Sequence, residues 1–259
     1  MAGVLIAAAL ITWILTVARM QGMDAGPGTD LGALGWFLGV WVTMMAAMMF
    51  PAIVPMAVVV SRVSGERSQG GPGALASTTA FVAGYLVVWT AYGAAVFGVY
   101  RAIAAADPAV LAWDRQGPLV AGAAVAAAGA YELTPLKRLC LRHCRSPLSF
   151  VLHRWRRGGA GAFAMGLEHG AWCLGCCVGL MLVLVVLGVM SITWMAVVAA
   201  IIFAEKVLPG GQRLTVAVAV ILMAMGLWIA RAPDSVPGLT APGNTQMPMN
   251  PAQPGSMPG

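Results

Sequence analysis

Between Met165 and Met181 the chain reads MGLEHGAWCLGCCVGLM, an apolar run interrupted by one Glu, one His and three Cys. On a helix each residue turns about 100°, so Met165, His169, Cys173, Cys176 and Cys177, spaced by four, four, three and one, share one face. Three thiols and an imidazole on one stripe are ligands for a transition ion, and Glu168 beside His169 adds a carboxylate. Free Cys also packs well in apolar helices, so a purely structural stripe is the competing reading. Residues seven apart on a helix are separated by about 10 Å along its axis. His169 with Cys173, or Cys173 with Cys176 or Cys177, can therefore share an ion, and the remaining ligands must come from another element.

Two further groups offer such ligands. Met44, Met45, Met48 and Met49 cluster in WVTMMAAMMFPAIVP, where Met45, Met49 and Met56 align on one helical face and Met44 and Met48 flank it. Thioethers and thiolates select Cu(I), which favours copper over zinc, although zinc fits the Cys and His. Cys140, His143 and Cys144 form a C-x-x-H-C pattern in a basic stretch, a second candidate site or a metal acceptor. Surrounding Arg and Lys favour thiolate there, for metal binding or for redox chemistry. Glu132 and Glu205 are the other carboxylates within apolar segments and are candidates for a proton or ion pathway. Each has a cation nearby, Lys137 for Glu132 and Lys206 directly after Glu205, so anchoring ion pairs are the alternative.

The solvent these elements meet follows from composition. Of 259 residues 60% are hydrophobic and 9% charged, with mean hydropathy +0.84; soluble domains carry roughly a quarter charged residues. The chain reads as an all-α, polytopic transmembrane bundle of about seven helices over 1–230, followed by a disordered tail over 231–259 rich in Pro, Gly and Met. The segments fall near 4–18, 36–60, 74–104, 118–134, 162–190, 192–208 and 214–230. The first resembles a signal peptide in length, but no positive charge precedes it, so a retained helix is expected. Pro51 and Pro55 are expected to kink the second segment. Between segments lie expected loops at Asp24–Asp30, Ser61–Gly73, Asp107–Gly117 and the basic stretch Pro135–Gly159.

Charge orients the bundle. With seven crossings, 11 of the 15 basic residues fall on one side, from Arg62 and Arg67 through the basic stretch to Lys206 and Arg213, against Arg19, Arg101, Arg115 and Arg231 on the other. The positive-inside rule makes the first side cytoplasmic, with the N-terminus inside and the tail outside a bacterial cytoplasmic membrane. The basic stretch then serves topology and anionic lipid, not nucleic acid. Five Cys in one third of the chain do not suggest a secreted disulfide framework. Phosphate-loop, H-E-x-x-H and dinucleotide fingerprints are absent from the sequence.

Three motifs, TMMAAMMFP (Thr43 to Pro51), YELTPLKRLCLRHCRSPLSF (Tyr131 to Phe150) and GLEHGAWCLGCCVGLM (Gly166 to Met181), resemble those of a bacterial family of predicted metal-binding integral membrane proteins with no assigned reaction. The likeness runs from about Trp36 to Arg213 and implies a polytopic membrane fold and a metal. Three functions are compatible with these residues: a metal-handling membrane protein binding Cu(I) for transfer to another protein or complex, a membrane oxidoreductase using the same Cys or metal, and a structural subunit whose Cys and Met only pack. No catalytic residue is assigned, and the reading leans away from an enzyme.

Overall fold

The structure, a computed structural model, describes residues 2–20, 32–67, 73–106, 116–188, 191–232 and 235. All regular structure among them is helical: α1 (Ala2–Met20), α2 (Leu34–Arg67), α3 (Ala74–Ala106), α4 (Gly117–Glu132), α5 (Pro135–Arg145), α6 (Pro147–Arg154), α7 (Gly158–Gly188), α8 (Ile192–Val207) and α9 (Gly211–Arg231). Seven of these coincide with the seven apolar segments. Of the expected tail, 233–234 and everything beyond Ser235 lie outside the described residues, as do the Asp24–Asp30 loop and most of the Asp107–Gly117 loop.

Two expected loops are corrected. Ser61 to Arg67 continues α2, which runs through Pro51 and Pro55 as one helix. The basic stretch folds into α5 and α6. Thr134 caps α5, its hydroxyl accepting from the Lys137 amide at 3.2 Å, and Pro135 opens the first turn, where its missing N–H costs nothing. Lys137, Cys140 and Leu141 face inward at helical spacing while Arg138 and Arg142 face out. Ser146 breaks the helix before Pro147, and α6 follows.

Five helices, α1, α2, α3, α7 and α9, are long and apolar enough to cross a membrane, and α4 with α5, bent by 62°, makes a sixth if the pair is one span. With 16 residues each, α4 and α8 reach about 24 Å, short of the about 30 Å hydrocarbon core. The expected seven crossings are thus seven helices, two of which are too short to cross alone. Leu, Ile and Val on the outer faces of α1, α3 and α9 are exposed, among them Ile14, Val99 and Ile221, as lipid-facing surfaces require.

Close helix crossings fix the interior. A Cβ on Gly84 would collide with the Phe163 carbonyl and one on Gly166 with the Phe81 carbonyl, so α3 and α7 touch backbone to backbone. Gly122 and Gly226 do the same for α4 and α9. On α2, the Trp41 indole donates to the Trp89 carbonyl at 2.9 Å and ties α2 to α3. α2 packs on α1, α3, α6 and α8, and α7 packs on α3, α4, α5 and α8. The main neighbours that the Met-bearing and Cys-bearing helices share are therefore α3 and α8.

Candidate metal centre

Mid-way along α7 the side chains of Cys173, Cys176 and Cys177 point into the bundle, each about 1% exposed. Their Sγ atoms all lie within 4.8 Å of one another, and those of Cys176 and Cys177 are 3.4 Å apart. An ion held by thiolates at about 2.3 Å spaces its sulfurs by about 3.7–4.0 Å, so small rotamer adjustments close this triad on one ion. All five Cys are free thiols. Cys176 Sγ also donates to the Cys173 carbonyl at 3.1 Å, an internal helix contact that fixes its direction.

Other helices complete the surroundings. From α5, Cys144 brings its Sγ to 3.7 Å from that of Cys176. Cys173 Sγ lies 3.0 Å from the Tyr85 hydroxyl on α3 and accepts from the Lys206 ammonium on α8 at 2.9 Å. Neither Tyr85 nor Lys206 was singled out as a site residue from sequence. Lys206 had a visible signal, a cation inside an apolar run, but its place after Glu205 suggested an ion pair. Consecutive helical residues point about 100° apart, and the two side chains go to different partners.

Glu205 belongs to a buried ionic group. The Lys137 ammonium sits 2.8 Å from Glu205 and is also paired with Glu132, with all three side chains at most 2% exposed. It joins α4, α5 and α8 at one end of the bundle. Two carboxylates around one ammonium leave each other's charge incompletely balanced, which makes the group costly to break.

The remaining candidates separate. His169, one turn before Cys173, is buried with its ring between Phe81, Tyr85 and Phe150 at 5.8, 6.0 and 5.4 Å, and its Nδ1 has no hydrogen-bond partner. Glu168 turns outward, with its carboxylate 3.3 Å from Arg154 at a partly exposed position, away from the thiols. The C-x-x-H-C group does not form a separate site. Cys144 joins the α7 thiols, His143 stacks on Trp172 at 4.1 Å, and Cys140 occupies the space left by the missing side chain of Gly175. The Tyr131 hydroxyl donates to the Gly175 carbonyl at 2.5 Å, holding α4 against the same turn. Met44, Met45, Met48 and Met49 are fully buried in α2.

The arrangement is a buried sulfur cluster with one cation and one phenol on Cys173. Soft thiolates in such a cluster suit a monovalent soft ion. No curated protein and no solved structure matches the chain. The family model of PpoB2, described as a copper chaperone, matches residues 38–229, a range that contains the thiols, His169, the α2 methionines and the buried ionic group, and the chain belongs to that family.

Proposed function

We propose that the protein holds Cu(I) inside the membrane on Cys173, Cys176 and Cys177 and passes it to an acceptor protein. The observation that carries this reading is the convergence of three buried free thiols within 4.8 Å. Thiolate sulfur selects Cu(I), and the compact group within 4.8 Å offers three sulfurs with Cys144 set apart at its rim, where a structural zinc site closes a tetrahedron of four. His169, with its open Nδ1, and Met45, Met48 and Met49 on α2 are secondary ligands on the ion's path. Metal binding displaces thiol protons. Their exit is by Glu132, Lys137 and Glu205, the first two of which line a cavity of about 630 Å³ between α4, α5 and α9.

The end carrying α5 and α6 faces the cytoplasm of a bacterial inner membrane. Lys137 and Lys206 lie within the bundle and do not count toward orientation, yet the eleven basic residues less these two still leave nine against four. Gly211 lies beside Arg145 at this end, so α9 carries the chain away and its C-terminal side faces outward.

The test is the copper content of purified protein. Replacing Cys173 and Cys176 together by Ser should abolish stoichiometric copper while the protein still inserts and folds. Full metal in the double variant, or none in wild type prepared under reducing, copper-replete conditions, would overturn the reading.

A further inference from the structure

Of the four thiols in the pocket, three sit on one long helix and are buried; the fourth, Cys144, arrives on the short α5 and is only partly buried. The compact group of sulfurs within 4.8 Å comprises the three α7 thiols, and Cys144 lies at its rim. Its Sγ is 3.7 Å from Cys176, whose own Sγ is 3.4 Å from Cys177. A Cu(I) ion bridging two thiolates in a line spans about 4.6 Å, twice the metal–sulfur bond. Both steps are shorter, so an ion can pass along these sulfurs without leaving sulfur.

We infer that Cys144 is the exchange ligand through which Cu(I) reaches and leaves the buried triad. The inference rests on the copper reading above. In the inward step a Cu–S bond forms to Cys144 as its thiol proton leaves; a Cu–S bond to the donor breaks, and the donor sulfur takes up a proton. Cys176 then bonds the ion, giving up its proton as the Cu–S bond to Cys144 breaks and Cys144 is reprotonated. Copper stays in the +1 state throughout, and no electron moves. The entrance is cationic, with Arg138 and Arg142 exposed on α5 and Arg145 in its last turn. It therefore favours Cu(I) carried on thiolates with net negative charge, since complementary charge accelerates encounter.

Holding an ion and exchanging it are separable in an experiment. Apo protein in detergent, mixed with Cu(I) buffered by glutathione, is followed by thiolate-to-copper absorbance and by final copper per protein. Cys144→Ser should load at least about tenfold more slowly and reach the wild-type endpoint, while Cys140→Ser, on the same helix, loads at the wild-type rate. A wild-type rate in Cys144→Ser would overturn the inference. So would an endpoint that falls with the rate, which would make Cys144 a permanent ligand, or equal slowing in Cys140→Ser, which would assign the effect to α5 as a whole. Absence of copper from wild type would instead overturn the copper reading itself.

Discussion

Lys206 places an ammonium 2.9 Å from the buried Cys173 sulfur, where burial of the sulfur weakens screening by water. Three thiolates and one Cu(I) carry two net negative charges, and burying them uncompensated is costly. The ammonium offsets one. Lys206→Met should therefore weaken Cu(I) binding by about 10- to 100-fold, the equivalent of one charge-assisted hydrogen bond, and Lys206→Arg should retain more of it. Competition with a chromophoric Cu(I) chelator at fixed pH measures both; unchanged affinity in Lys206→Met would show that the charge is balanced elsewhere. The thiols were legible because three Cys and a His on a 3.6-residue period are rare in an apolar run. Lys206 was not, because sequence proximity to Glu205 offered a simpler partner, and Lys137, which takes that role, lies 68 residues away. Tyr85 left no trace at all: an aromatic residue in an apolar helix has the same pattern whether its hydroxyl meets lipid, backbone or sulfur.

The α3–α7 crossing sets where Tyr85 stands relative to Cys173. Gly84 and Gly166 let the two backbones touch, and a larger side chain at either point must push the helices apart. Gly166→Leu should destabilise the fold by about 1–3 kcal/mol as overpacking does and lower copper occupancy by separating Tyr85 from the site. Gly98→Ala, on α3 with open space around it, should change neither; thermal unfolding and metal analysis of the two variants decide. The long helices could be read directly from apolar runs of 18 or more residues. α5 and α6 could not, because their charges dominate composition and conceal the inward set Lys137, Cys140, Leu141 and Cys144, spaced three, four and seven from the first. A strict helical pattern was present, but one of its inward positions is a lysine, whose burial makes sense only with Glu132 and Glu205 in place.

For the molecule as a whole, the proposed orientation rests on the charge distribution and on the direction of α9. A cytoplasmically active reporter fused after Arg157 should be active, and one fused after Arg231 should be inactive there; the reverse pattern would refute the assignment. Sequence reading located the crossing material and left its count uncertain in one physical respect: helices of 16 residues such as α4 and α8 need protein neighbours to shield their ends. Two unequal ties hold the ends of α5. α5 is pinned in its first turn by Lys137, clamped between Glu132 and Glu205 in the interior. Its last turn rests on the Arg145 guanidinium donating to the Leu208 carbonyl at 2.6 Å, at the surface. Cys144 lies seven residues beyond the pin, about 10 Å along the rod. It therefore sits one residue from the tie that solvent reaches, whereas the α7 thiols sit in the middle of a 31-residue helix packed on four others, α5 among them. In the proposed transfer, breaking the outer tie would loosen the end of α5 that carries Cys144 while the inner clamp and the three α7 thiols keep their places.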